Sequence, residues 1–188
     1  MLSHRRRVLF FFVTISTLLV ADQLTKLWAV RALTHVQASH PGTALEHYSV
    51  LHPVPARPLF FAGRWGYFEY AENPGAAWNI LSGAHESFRY PFFFVVGIVA
   101  MTLMTIYYFR AKPEERLRRV ALACIIGGAL GNFADRMRLR YVIDFVVVDL
   151  GSFYRWPTFN FADAAVSIGV VLLVAESFKK ADQPAARA

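Results

Sequence analysis

Two aspartates stand where an ionised side chain is costly. Asp144 in VIDF and Asp163 in FNFAD each lie at the edge of an apolar segment, within the stretch from Gly127 to Val170. A carboxylate held against lipid needs a partner or a task. Two carboxyls brought into one lipid-facing cleft can share a proton. One then takes a proton from water while the other protonates a carbonyl oxygen, which is what peptide hydrolysis requires when neither a metal nor a covalent intermediate takes part. Asp144 and Asp163 are therefore the expected catalytic pair. Asp163 falls where a helix should begin, and the helix dipole there favours negative charge, so Asp163 is expected to be the ionised member and Asp144 the protonated one.

The remaining polar residues of these segments admit two uses each. Asn160 and Asp163, at i and i+3, suit an ordinary helix cap as well as chemistry. Asn132, Asp135 and Arg136 in GNFADR are expected at the outer end of the third apolar span, either as a helix-end ion pair or as an amide and ion pair that hold a strand and a carboxylate in place. Asp22 and Lys26, at i and i+4, can pair within their own helix, and structure outweighs direct chemistry there. Asn73, ahead of Pro74 and Gly75, is first of all a turn residue. His35, His40, His47 and His52 match no ligand spacing, so no metal is expected. Cys124 is the single cysteine, which leaves no intramolecular disulfide and no CxxC site.

The elements that must position these residues are membrane spans. Of 188 residues, 56% are hydrophobic and 18% charged, too apolar for a soluble domain of this size, so residues 1–188 read as one membrane domain. The net charge of +7 comes from basic residues between the apolar segments and at the ends, without a face interleaved with base-reading side chains, and nucleic-acid binding is set aside. Spans are expected at Val8–Val30, Phe88–Phe109, Leu117–Phe133 and Phe159–Phe178; the length of the first suits a bilayer core of about 30 Å, while the third is short and ends in polar residues. The first is read as a retained helix, because Leu19 and Ala21 fit a small-x-small cleavage site poorly and further spans follow. Arg5 to Arg7, the RAKPEERLRR loop and the basic tail then place both termini in the cytoplasm. Residues 31–87 and 134–158 fall outside. There Arg64 to Ile80 and Val142 to Val148 suggest short strands at the interface.

With these motifs in order, the chain resembles the lipoprotein signal peptidase (signal peptidase II) family. The likeness rests on DQLTK at Asp22–Lys26, ENPGAAW at Glu72–Trp78, GGALGNFADR at Gly127–Arg136, VIDF at Val142–Phe145 and FNFADAAVSIG at Phe159–Gly169. It implies a membrane α-helical fold: four transmembrane helices with a small β-cradle and a short interfacial helix on the periplasmic side of a bacterial inner membrane. It also implies an aspartic endopeptidase that removes the signal peptide of prolipoproteins before a diacylglyceryl-modified cysteine, with no cofactor. Its partners would be these lipid-modified precursors and membrane lipids, with the enzyme a monomer. By motif position Asp144 and Asp163 match the catalytic pair, and Asp22, Asn73, Asn132, Asp135, Arg136 and Asn160 match the surround, with Lys26 and Gly75 in the same motifs. Three features depart from the family pattern: a long segment from Leu33 to Gly66, Trp78 where phenylalanine is common, and Arg140 where a glycine often precedes the VIDF-like motif.

The rival readings are a small proton-coupled carrier, since intramembrane carboxylates also mark ion paths, and a structural membrane protein. Broken central helices or internal pseudo-symmetry would favour the carrier, and neither is visible in the sequence. A serine hydrolase lacks its GxSxG turn.

Overall fold

The computed structural model of the protein describes residues 4–35, 54–75, 83 and 85–181. Helix α1 (His4–Leu33) leads into a two-stranded antiparallel ribbon of β1 (Thr34–His35) and β2 (Val54–Pro55). Strands β3 (Leu59–Phe60) and β4 (Gly66–Asn73) follow, then helices α2 (Glu86–Arg110) and α3 (Arg116–Leu139), strand β5 (Val142–Val148) and helix α4 (Phe161–Ala181). All four helices contain a stretch long and apolar enough to cross a membrane. Their large apolar side chains stay uncovered, among them Leu9, Phe12, Val95, Leu103 and Val171. A surface of that kind is unfavourable in water and ordinary against lipid tails. Helix α3 runs through the middle, packed on α1, α2 and α4.

Strands β3, β4 and β5 form one antiparallel sheet in the order β3-β4-β5. The β4–β5 register runs from Gly66↔Val148 to Asn73↔Val142, with an irregularity between Phe68 and Ala71. Tyr70, Ile143 and Phe145 pack from the sheet onto Ala29, Val30 and Leu33 of α1 and Leu139 of α3. The sheet is thus seated on one end of the bundle. At the other end Phe11, Ile15, Tyr108, Leu122, Ala123 and Ile126 close a second core.

The third helix differs from its expected limits. Polar residues after Phe133 suggested a short span, yet the helix continues to Leu139, and Asn132, Asp135 and Arg136 lie inside it. They share a face at i, i+3 and i+4, and that face meets polar partners on other elements, so nothing ends the helix there. It stops at Arg140, whose left-handed backbone (φ 72°) returns an N–H to the Arg136 carbonyl at 3.2 Å. The last helix opens at Phe161 instead of Phe159, because Phe159 is engaged with β5. The implied short interfacial helix is not among the described residues. Trp78, His40, His47 and His52 also lie outside them, and no group of three potential metal ligands occurs among the described residues.

Candidate active site

Asp144 sits on β5, and what brings Asn160 and Asp163 to it is a short backbone zipper. The Phe145 and Val146 N–H groups donate to the Phe159 carbonyl at 3.1 and 2.8 Å, and the Phe159 N–H donates back to Val146 at 3.1 Å. The chain then turns into α4. Asn160 and Asp163 cap that helix reciprocally, the Asp163 N–H donating to Asn160 Oδ1 at 2.9 Å and the Asn160 N–H to Asp163 Oδ2 at 3.2 Å. Capping of this kind satisfies N–H groups that the helix itself leaves open. The same asparagine does a second job, its amide Nδ2 donating to Asp144 Oδ1 at 2.7 Å and to Asn132 Oδ1 at 3.1 Å. Cap and site are one structure.

Both carboxylates are held by amides. Asp163 Oδ1 accepts from Asn132 Nδ2 at 2.8 Å, while Asp144 Oδ2 accepts from Asn73 Nδ2 at 3.1 Å. Asn73 is itself fixed, for its Oδ1 accepts the Gly75 N–H at 3.0 Å in a turn, and Arg136 Nη2 donates to the Gly75 carbonyl at 2.6 Å. Arg136 thereby ties α3 to the end of β4. Asp144 is only 2% exposed. Burial raises its pKa from 3.8 to about 7, and the Asp163 carboxylate beside it pushes the same way, against the amides of Asn73 and Asn160 and the charge of Lys26.

Behind this pair lies a second polar layer. Lys26, 1% exposed, places its ammonium 2.9 Å from Asp22 Oδ2, 2.9 Å from Asp135 Oδ2 and 2.9 Å from Asn132 Oδ1. The expected pairing of Asp22 with Lys26 is present, but it is one arm of a network across three helices. Asp22 Oδ1 accepts the Ala162 N–H at the start of α4 at 3.0 Å, and Asp135 Oδ2 accepts the Ile143 N–H of β5 at 3.3 Å. Each aspartate thus docks an element that carries a site carboxylate. Gly131 makes this possible, since a Cβ there would occupy the place of Asp22 Oδ2.

Sequence reasoning missed Gln23. Its Nε2 donates to Asp22 Oδ2 at 3.1 Å and Asp135 Oδ1 at 3.0 Å, bridging two carboxylates on different helices. The available signal was a polar residue next to Asp22 within an apolar run. The ten residues singled out beforehand, Asp22, Lys26, Asn73, Gly75, Asn132, Asp135, Arg136, Asp144, Asn160 and Asp163, all fall in this one network. Arg138 reaches it only at the edge, 3.8 Å from Asp135.

Membrane-length helices, a small sheet on their end and two carboxylates held by amides, Asp144 buried and Asp163 half-buried, define a multi-pass membrane protein. A family model described as signal peptidase (SPase) II matches residues 14–179. The lipoprotein signal peptidase of Anaeromyxobacter sp. (strain Fw109-5) is 38% identical over 173 residues, covering 84% of this chain and 79% of that protein. That of Syntrophus aciditrophicus (strain SB) is 33% identical over 176 residues, covering 94% and 96%. A solved bacterial membrane enzyme, determined by the in meso method at 2.3 Å, superposes with a TM-score of 0.70 at 23% identity, covering 95% of this chain and 93% of its own. The chain belongs to the signal peptidase II family, and it is a membrane protease of the aspartic endopeptidase type.

Proposed function

We infer that the chain removes the signal peptide from diacylglyceryl-modified prolipoproteins, cutting before the lipidated cysteine with water activated by Asp144 and Asp163. The observation that carries this reading is the single asparagine, Asn160, whose backbone and side chain engage both carboxyls. In the first step the water oxygen bonds to the scissile carbonyl carbon, a water proton passes to Asp163, and Asp144 gives its proton to the carbonyl oxygen. In the second, the C–N bond breaks as Asp163 passes its proton to the departing nitrogen, and Asp144 takes a proton back from the hydroxyl. The burial of Asp144 supports its part, because a carboxyl near pH 7 can hold a proton and release it. Asn73, Asn132 and Asn160 orient the two groups, Arg136 holds the turn of Asn73 and Gly75, and the Asp22–Lys26–Asp135 layer holds α4 and β5 in place.

In this reading the protein is a monomer of the bacterial inner membrane, with both termini cytoplasmic and the sheet end periplasmic. Acyl chains of the precursor reach the site between lipid-facing helices. The basic character of the opposite end supports this orientation. There Arg119 donates to the carbonyls of Lys112 and Pro113 at 2.6 and 3.0 Å, and Arg118 pairs with Glu115 and Glu176 at 2.9 and 3.1 Å. The carrier reading gains nothing, for each described span is a continuous helix.

The test is cleavage of a lipidated precursor by the purified protein in detergent, with Asp144→Asn and Asp163→Asn assayed separately. Each is expected to lose at least about 100-fold in rate, the scale of a missing general acid or base. Full activity in either variant removes the pair from the mechanism.

A further inference from the structure

Among the described residues, Arg140 alone combines a side chain with a left-handed backbone. That conformation is unfavourable for a non-glycine residue, and the position after a helix end is where glycine is favoured. What arginine supplies there, and glycine cannot, is a guanidinium placed over the Tyr90 ring at 4.8 Å. Arg89 lies over the same ring at 5.5 Å, and one turn along each helix Arg136 lies over Phe93 at 4.8 Å. Residues 90 and 93 of α2 thus face Arg140, just past the end of α3, and Arg136 of α3 in a two-rung ladder of guanidinium on aromatic ring. Arg136 keeps a buried Nε–H with no acceptor among the described residues. Exposed Phe88 and Phe92 flank the ladder on the lipid-facing surface of α2.

Arg136 spends its terminal N–H groups on the Asn132 and Gly75 carbonyls, whereas the exposed guanidinium of Arg140, oriented by its ring, can offer an N–H edge to a phosphate in bidentate fashion. The flanking phenylalanines require a ligand with apolar tails as well. We propose that the α2–α3 seam at the sheet end of the bundle binds the phosphodiester headgroup of an anionic phospholipid, with Arg140 as its outermost contact. In the topology inferred above this end faces outward, where the charge bias of membrane proteins does not call for a cluster of arginines. A bound anionic lipid accounts for them, and it would line the membrane beside the Arg136–Gly75 contact.

The full-length protein is to be placed in nanodiscs containing equal phosphatidylglycerol and phosphatidylcholine of identical acyl chains, and retained lipids counted by native mass spectrometry. Preferential retention of phosphatidylglycerol is expected, and Arg140→Gly should lower that preference by about fivefold, the share of one basic residue near a membrane surface. Folding is not at risk in this variant, since glycine suits φ 72°, and its melting temperature should be unchanged or higher. Asp144→Asn should retain the preference, so failure of the hydrolytic reading and failure of this one are separate results. The proposal is overturned if the wild-type protein retains both lipids equally, if Arg140→Gly keeps the full preference, or if millimolar inorganic phosphate or an acidic peptide displaces the lipid.

Discussion

At Asp144 burial acts before charge. Desolvation is the largest cause that lifts its pKa to about 7, the Asp163 carboxylate adds to it, and Lys26 opposes both. The sign of the pH dependence follows. The reaction needs Asp144 protonated, so cleavage should fall as pH rises through about 7, with the descending limb of a pH–rate profile near that value. Removing the opposing cation moves the limb upward. Lys26→Met alone would strand Asp22 and Asp135 without a counter-charge, which costs several kcal/mol. The pair Lys26→Met with Asp22→Asn keeps the same net charge in that layer and isolates the effect. Its residual activity should show the limb at higher pH than wild type, and an unmoved limb would mean that Lys26 does not act on the pair. Asp163→Asn should lower the Asp144 pKa, read by infrared difference spectroscopy of the carboxyl stretch.

At the scale of elements, the site depends on how closely helices and strands approach. Gly128 lets α3 meet the Ala162 carbonyl at the head of α4, and Gly131 admits the carboxylate of Asp22. Gly131→Ala must displace a carboxylate that Lys26 and Gln23 also hold. An expected cost of about 1–3 kcal/mol should appear as a lower midpoint in thermal unfolding in detergent, with reduced cleavage. Gly83→Ala meets nothing within 4 Å and serves as the control. The sheet contributes differently. Because β5 is pinned to β4 on one side and to Phe159 on the other, Asp144 has neighbours on both edges, and Asn73 and Asn160 reach it from opposite sides.

For the whole molecule the question is which end of the bundle faces out. Phe153, 86% exposed in the turn after β5, marks the sheet end, and Lys112 in the loop between α2 and α3 marks the other. In a Cys124→Ala background, a membrane-impermeant maleimide added to intact spheroplasts should label Phe153→Cys and leave Lys112→Cys unmodified until the membrane is opened. The reverse pattern would invert the topology and place the carboxylates at the cytoplasmic face. Exposed Phe60, Phe61, Trp65, Tyr154 and Trp156 at the same end give the sheet an aromatic surface suited to the headgroup region.

The four spans were legible from the order of residues alone, because crossing a bilayer is a local demand: some twenty consecutive apolar residues satisfy it whatever surrounds them. Several members of the polar network, Asp22, Lys26 and Asn132 among them, were legible because a polar residue is conspicuous in an apolar run, though the same signal at Gln23 was passed over and Asn73 stands in a turn outside any such run. Their connections were not. Lys26 and Asn132 are 106 positions apart, and Asp22 and the Ala162 N–H are 140 apart, so no window of sequence holds both partners. Only the packed bundle turned the Asp22–Lys26 pair into a layer supporting two other elements, carried α3 past its polar residues to Leu139, and made Gln23 a bridge between carboxylates. A buried charge must find its partners in space, and that choice belongs to the fold.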